Sequence, residues 1–321
     1  MIDKANKDRT AYGTGFYATK QIVDNIAVND AVNKLWVPGS RWVAVGDAGR
    51  IATSTNGRSW STQTVGANSY WIDVAYGNGR WVAVGAGGVM AHSTNGTSWT
   101  QIKVGSENWF GVAYGNGRWM AVGAGGRMAH STNGTSWTQI TVGSGNWSGV
   151  AYSNGLWKAV GNPCNMAYST DGASWIQITV GAYSGLCWHG VAYGNGKWTA
   201  VGDVGRIATS ANGTSWIELI FNTNIVWNDI AYGNGRWVAV GNSLTAGYFA
   251  YSDNGITWTL SSAINTTDWL GVTYGNGLFV AVGSNISSYA GRIRYSNDGI
   301  NWTQVSSGSD TCWYGVAYNG N

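Results

Sequence analysis

Apolar and polar positions along this chain alternate in short, evenly spaced runs. From Trp109 to Tyr114 the run reads W-F-G-V-A-Y. Period-two alternation with aromatic and β-branched residues predicts a strand. The turn Gly115-Asn116-Gly117 follows, then a second run from Arg118 to Gly123. A glycine-rich loop leads to a third run, Met128 to Ser131. The turn Thr132-Asn133-Gly134-Thr135 then leads to a fourth, Ser136 to Val142. Asn-Gly supplies the positive φ angles that tight hairpins need. Four antiparallel strands in about forty residues form one blade of a β-propeller.

The same pattern recurs along the chain, the mark of a repeat architecture. Residues 71–108 and 109–146 differ at six of thirty-eight positions, and further copies begin at Trp147, Trp188, Trp227 and Trp269. A diverged copy occupies 32–70. The units are therefore 32–70, 71–108, 109–146, 147–187, 188–226, 227–268 and 269–312, within a single domain spanning 1–321. One more first strand, 313–321, follows the last unit, and 9–28 reads as strands two to four of a worn unit. Joined, these two ends would form an eighth blade and leave no free sheet edge. The expected fold is an all-β single propeller of four-stranded antiparallel blades, with eight blades favoured. In the alternative there are seven, with 313–319 closing the first and 1–40 an accessory arm.

Composition narrows the function classes. The chain has 321 residues, 10% of them charged, and a net charge of +3, with no Lys/Arg run. That argues against nucleic acid as a partner. Glycine (49) and tryptophan (21) are abundant and proline (2) is scarce, as in a turn-rich β-repeat protein rather than a disordered chain. No apolar run reaches membrane-spanning length, and the start, MIDKANKDRT, has no apolar signal-peptide core. The expectation is a soluble protein without membrane insertion, cytoplasmic, released or carried on a virion.

The turn between strands three and four has the form S-x-[N/D]-G-x-[S/T]-W, with Asn301 in the [S/T] slot of the last copy. It runs from Ser54, Ser93, Ser131, Ser169, Ser210, Ser252 and Ser296 to the tryptophan six residues on. This resembles the Asp-box, or BNR, repeat of sialidases, photosystem assembly factors and many bacterial and phage propellers. The resemblance covers essentially the whole chain. The box is one residue shorter than the usual sialidase spacing, and Asn often replaces Asp. It implies a structural turn: a short polar side chain caps it, Gly takes the left-handed position and Trp packs between strands.

Three tryptophan columns account for twenty of the twenty-one. Two of them read as packing: Trp60, Trp99, Trp137, Trp175, Trp216, Trp258 and Trp302, and Trp42, Trp81, Trp119, Trp157, Trp198 and Trp237, with Phe279 in the last slot. The third is Trp71, Trp109, Trp147, Trp188, Trp227, Trp269 and Trp313, where one blade passes to the next. In Asp-box propellers this connection lies on the face opposite the box, together with the loop between strands two and three. All length variation falls in these two loops, as in 241–249, 283–292, 182–187 and 261–268. Loops on a rigid scaffold carry function, so this variable face is the expected working face. The third tryptophan column is open to two readings, packing or ligand contact, with Arg50, Arg127 and Arg206 alongside as ligand-binding candidates.

Catalysis is not expected. Resemblance to sialidases would imply an arginine triad, a Tyr/Glu nucleophile pair and an Asp acid/base. Yet the chain has only two glutamates, Glu107 and Glu218, and no Arg-Ile-Pro motif. Asp47, Asp203 and Asp268 are not marked as a glycosidase pair. His92 and His130 share one repeat position and read as packing. No Cys/His spacing fits a metal, and no cofactor motif precedes a helix. Cys164 and Cys187 should share the variable face, where a disulfide or two thiols are both open. Cys312, in the slot of Cys187, should be unpaired. The reading is a non-catalytic recognition or assembly module, virion-associated or on a surface. Its partners would be a glycan or host-surface receptor and other virion subunits. A free lectin-like protein and an assembly factor are the alternatives.

Overall fold

The computed structural model describes residues 39–181, 186–261, 267–285, 291–306 and 312–320. The chain divides into two compact units, Met1–Ser40 and Arg41–Asn321. Of the first only Gly39 and Ser40 are described, so the expected worn strands at 9–28 and the first strand of unit 32–70 lie outside the described residues.

The second unit contains seven four-stranded antiparallel sheets, numbered here as blades one to seven. Blades two to seven run in chain order through 71–103, 109–141, 147–179, 188–220, 226–260 and 267–305. Blade one combines Trp42–Gly46, Arg50–Ser54 and Ser61–Thr64 with Trp313–Tyr318 on its inner edge. The favoured eight-blade closure is therefore wrong, and the ring has seven. The strand 313–318 does not seed an extra blade. It pairs with Trp42–Gly46 in the register Trp42↔Tyr318, Val43↔Ala317, Ala44↔Val316.

That register is the one every other blade uses between its first two strands, as in Trp81↔Tyr76 and Trp119↔Tyr114. The ring pairs match as well. Tyr76–Trp81, Tyr114–Trp119 and Tyr152–Trp157 have centroids 4.9, 5.0 and 4.9 Å apart, and Tyr318–Trp42 has 4.6 Å. Each inner strand packs on the inner strand of the next blade, and 313–318 contacts both 267–275 and 71–77. The seventh inner strand thus closes the circle and leaves no gap for another blade.

Seven hydrophobic clusters, one at each blade-to-blade contact, form the core. Large flat indoles fill these spaces, and burial of each contributes on the order of 3 kcal/mol from its apolar area. On one face the box turns are built alike. Ser131 Oγ accepts the Gly134 N–H at 2.8 Å, and Asn133 Oδ1 accepts the N–H groups of Thr135 and Ser136, both at 2.9 Å. On the other face the loops between strands two and three bond to the inter-blade connections, as in Ala86 N to Tyr70 O (3.0 Å) and Gly205 N to Ile225 O (2.7 Å). The two variable loop sets therefore share one face, as expected. Among the described residues, no helix is long and apolar enough to cross a membrane.

Candidate functional site: the axial mouth

Every inner strand carries a β-bulge at the same place. Pairing runs Trp71↔Gly85 and then Asp73↔Val84, so Ile72 has no partner in the ladder. The same slip leaves out Phe110, Ser148, His189, Asn228, Leu270 and Tyr314. A bulge re-aims the extra side chain. Here all seven bulge residues line one cavity on the propeller axis, of about 420 Å³.

Their chemistry divides around the ring. Blades seven, one, two and three supply Leu270, Tyr314, Ile72 and Phe110, a contiguous apolar and aromatic arc. Blades four, five and six supply Ser148, His189 and Asn228, a contiguous polar arc. Asn228 donates through Nδ2 to Asn242 Oδ1 and to Trp269 O, both at 2.8 Å, which uses both of its amide N–H groups.

The position after the bulge is glycine in five blades and aspartate in two, Asp73 and Asp229. Glycine is required by close approach. A Cβ at Gly149 would lie 2.6 Å from His189 O, and one at Gly271 would lie 2.6 Å from Tyr314 O. The blade before each aspartate carries glycine at this position, and a Cβ on Gly315 or Gly190 would meet Asp73 Cα at 2.8 Å or Asp229 Cα at 2.9 Å. Each carboxylate spans two blades. Asp73 Oδ1 accepts Val74 N–H and Oδ2 accepts Val112 N–H; Asp229 Oδ1 accepts Ile230 N–H and Oδ2 accepts Val272 N–H, all at 2.8 Å. What these residues still expose is channel wall. Burial pushes both carboxyls up to about 7, against the four backbone hydrogen bonds, and the Asp229 charge adds to the rise at Asp73.

A second cluster sits at the rim. His189 Nε2 lies 2.8 Å from Asp203 Oδ1, and Asp203 Oδ2 accepts the Cys187 N–H at 2.7 Å. Burial acts to raise Asp203, but the hydrogen bonds from His189 and Cys187 outweigh it and hold the carboxyl below its usual range. The Cys187 thiol is pushed up to about 11, first by burial and then by Asp203. Such a thiol is a poor nucleophile, because the thiolate is the reactive form. Blade one carries the matching set, Cys312, Tyr314 and Asp47. Burial raises the Cys312 thiol and the Tyr314 hydroxyl, and the Asp47 carboxylate adds to both.

The expected site residues lie beside this mouth, but most do not line it. Trp71, Trp109, Trp147, Trp188, Trp227, Trp269 and Trp313 are at most 1% exposed, so no indole face of that column is open to a ligand. Five of them are stapled to the preceding blade through Nε1: Trp71 to Val65 O, Trp109 to Val104 O, Trp147 to Val142 O, Trp188 to Val180 O and Trp227 to Phe221 O. The geometry is that of packing, the other reading open to this column. Arg206 is fully buried. It bonds Glu218 and Val180 O and stacks 4.5 Å over Trp188. Arg50 and Arg127 bond Thr64 Oγ1 (3.0 Å) and Thr141 Oγ1 (2.9 Å) on the outermost strands, away from the axis. Cys164 and Cys187 are thiols rather than a disulfide; Cys164 Sγ donates to Leu186 O at 3.3 Å and accepts from Arg206. Among the described residues, no group of three His, Cys, Asp or Glu is placed to hold a metal.

Sequence reasoning passed over the bulge residues, although a signal was present. Of the six differences between 71–108 and 109–146, two are Ile72 against Phe110 and Asp73 against Gly111. The bulge column, different in all seven blades, stands next to a tryptophan present in all seven.

The fold and its mouth define a seven-bladed β-propeller with one axial cavity. No protein-family model matches the chain, and no curated protein matches it. Solved structures are similar in fold. One described as YCF48 bound to D1 peptide is 18% identical, with 74% of this chain and 81% of that one covered and a TM-score of 0.56. YCF48 from Cyanidioschyzon merolae is 14% identical, with coverages of 76% and 87% and a TM-score of 0.57. The WD40 β-propeller domain of Doa1 is 13% identical, with coverages of 74% and 82% and a TM-score of 0.56. At these identities the likeness is one of fold.

Proposed function

We propose that this propeller is a non-catalytic recognition and assembly module that engages its partner on the variable-loop face, around the axial mouth. One observation carries the reading. The bulge column carries a different side chain in every one of the seven blades, and all seven of those side chains line one cavity. A scaffold that needed only to fold would have no reason to differ there. The carboxylates and thiols near the axis support a binding role over a chemical one. Asp73 and Asp229 are tied to backbone N–H groups, and the Cys187 thiol is held in its protonated form.

The partner side of the reading is finer. A virion-associated or surface recognition protein fits the near-identical repeats and the resemblance to bacterial and phage Asp-box propellers. A glycan or host-surface receptor is the corresponding ligand, taken at the axial mouth and not by a ring of inter-blade tryptophans. An assembly factor is the rival, since a propeller of similar fold is described with a bound peptide. The basic residues of the constant face are engaged within the ring. Arg80 and Arg118 lie 3.0 Å from His92 and His130 Nδ1, Lys197 donates to Asn254 O, and Arg236 bonds Asp253 and Asp298 O.

Glycan and peptide arrays probed with labelled protein test the reading. Hits are expected to vanish in the double variant Phe110→Ala/Leu270→Ala and to persist in Thr97→Ala on the constant face. A blank on both arrays, or equal loss in Thr97→Ala, would overturn it.

A further inference from the structure

The axial cavity is asymmetric, and its asymmetry selects a kind of ligand. Among the described residues that line it, none is Lys or Arg, while two carboxylates, Asp73 and Asp229, are set in its wall. Each of their oxygens accepts one backbone N–H and keeps a second lone pair. The polar arc adds acceptors. The N–H groups of the Asn228 amide are used by Asn242 and Trp269, so its oxygen is what remains. His189 Nε2 faces the Asp203 carboxylate, so in the neutral ring the proton sits on Nε2 and Nδ1 is an acceptor. Opposite stands the arc of Leu270, Tyr314, Ile72 and Phe110, two of them aromatic and able to attract a cation to a ring face. A volume of about 420 Å³ suits one side-chain-sized or small-molecule group.

We propose that the axial cavity binds a single cationic group carried on an apolar body. An ammonium or guanidinium rests on the acceptor-bearing wall, and its hydrocarbon part lies against the apolar arc. This rests on the recognition reading above and names the chemistry that reading leaves open. The bulges make the site monovalent, because the seven residues form one ring and not seven separate pockets. A free arylalkylamine and a Lys or Arg side chain of a partner protein share this chemistry.

Binding is coupled to protons. A cation favours the ionised aspartates, whose carboxyls burial raises to about 7. Binding therefore releases protons and tightens as pH rises through 7. The other titratable groups facing the cavity are His189, Cys187 and Tyr314, with Asp203 and Asp47 behind the first and last. Burial and the adjacent carboxylates keep the Cys187 thiol and the Tyr314 hydroxyl protonated throughout this range.

Titration calorimetry of the full chain tests the proposal. The probes are phenethylammonium, capped Gly-Arg-Gly and Gly-Lys-Gly peptides, and neutral 2-phenylethanol. The expected result is one site per chain for a cationic probe, roughly tenfold tighter at about pH 8 than at about pH 6. A response to the peptides and not to the free amine would mark a protein partner as the source. Phe110→Ala, Asp229→Asn and Asp73→Gly should each weaken binding by roughly tenfold. Asp73→Gly carries the residue that five blades already have, so it is the variant best suited to fold, and its thermal melt checks that it does. Equal binding of 2-phenylethanol, affinity indifferent to these substitutions, or no saturable heat from any cationic probe at millimolar concentration would overturn the proposal. If cations fail while the array hits still depend on Phe110 and Leu270, only the cation inference falls and the recognition reading stands.

Discussion

Lys158 shows how one residue can depart from a repeat without serving its site. It occupies a strand-two column that is otherwise Val43, Val82, Met120, Thr199, Val238 and Val280. The side chain is fully buried, and its Nζ has no hydrogen-bond partner. The ammonium faces the rings of Tyr168 at 4.6 Å and Trp216 at 5.6 Å. Burial lowers its pKa to about 7. A base depressed on folding costs stability while it is charged, and the cost eases as pH rises from the folded pKa toward the unfolded one. Lys158→Met, close in volume and uncharged, should therefore stabilise the protein by about 1–3 kcal/mol near pH 7. The gain should shrink toward pH 10. Melting curves for both proteins across that range check this; a gain that grows with pH would contradict it.

The element that recurs most faithfully is the box turn, and its strength lies in local hydrogen bonding. Ser131 is 3% exposed; its Oγ accepts from Gly134 N at 2.8 Å and donates to Asn133 Oδ1 at 3.1 Å. Ser131→Ala leaves the Gly134 N–H buried without its acceptor. That should cost about 1–3 kcal/mol in urea unfolding. Exchange of the Gly134 amide should also speed up more than that of amides in distant blades. An unchanged unfolding midpoint would mean that the turn is held by its tryptophan alone. This element was legible in the sequence because its chemistry is local: seven residues carry the cap, the left-handed Gly and the Trp. The bulge was not legible, because it is defined by the partner strand. Trp109 pairs with Gly123 and Gly111 with Val122, and only that skip sends Phe110 to the axis.

At the scale of the molecule, closure rests on the strand Trp313–Tyr318. It covers the edge of Trp42–Gly46 and completes the inner ring between 267–275 and 71–77. Removing 313–320 should expose a strand edge and one side of the cluster around Trp42, Val280 and Val316. The truncated chain is expected to lose its cooperative thermal transition and to elute as aggregates in size-exclusion chromatography. A monomer with an unchanged melt would show that the ring does not depend on this strand. The same closure forms the axial cavity, since Tyr314 belongs to the closing strand.

The sequence by itself determined the blade, its four strands, its turns and the face on which the loops vary. These follow from alternation, Asn-Gly turns and column-by-column repetition, all of which act over a few residues. It left the count of blades between seven and eight, because closure is a pairing between residues some 270 positions apart, Trp42 and Tyr318. Only the tertiary structure decided that pairing. It also decided that the third tryptophan column lies in the core and that the neighbouring residues reach the axis. Those residues come from seven separate strands, and no local pattern states that they meet. The ring brings them together, with an apolar arc on one side, acceptors on the other and two carboxylates in the wall between neighbouring blades.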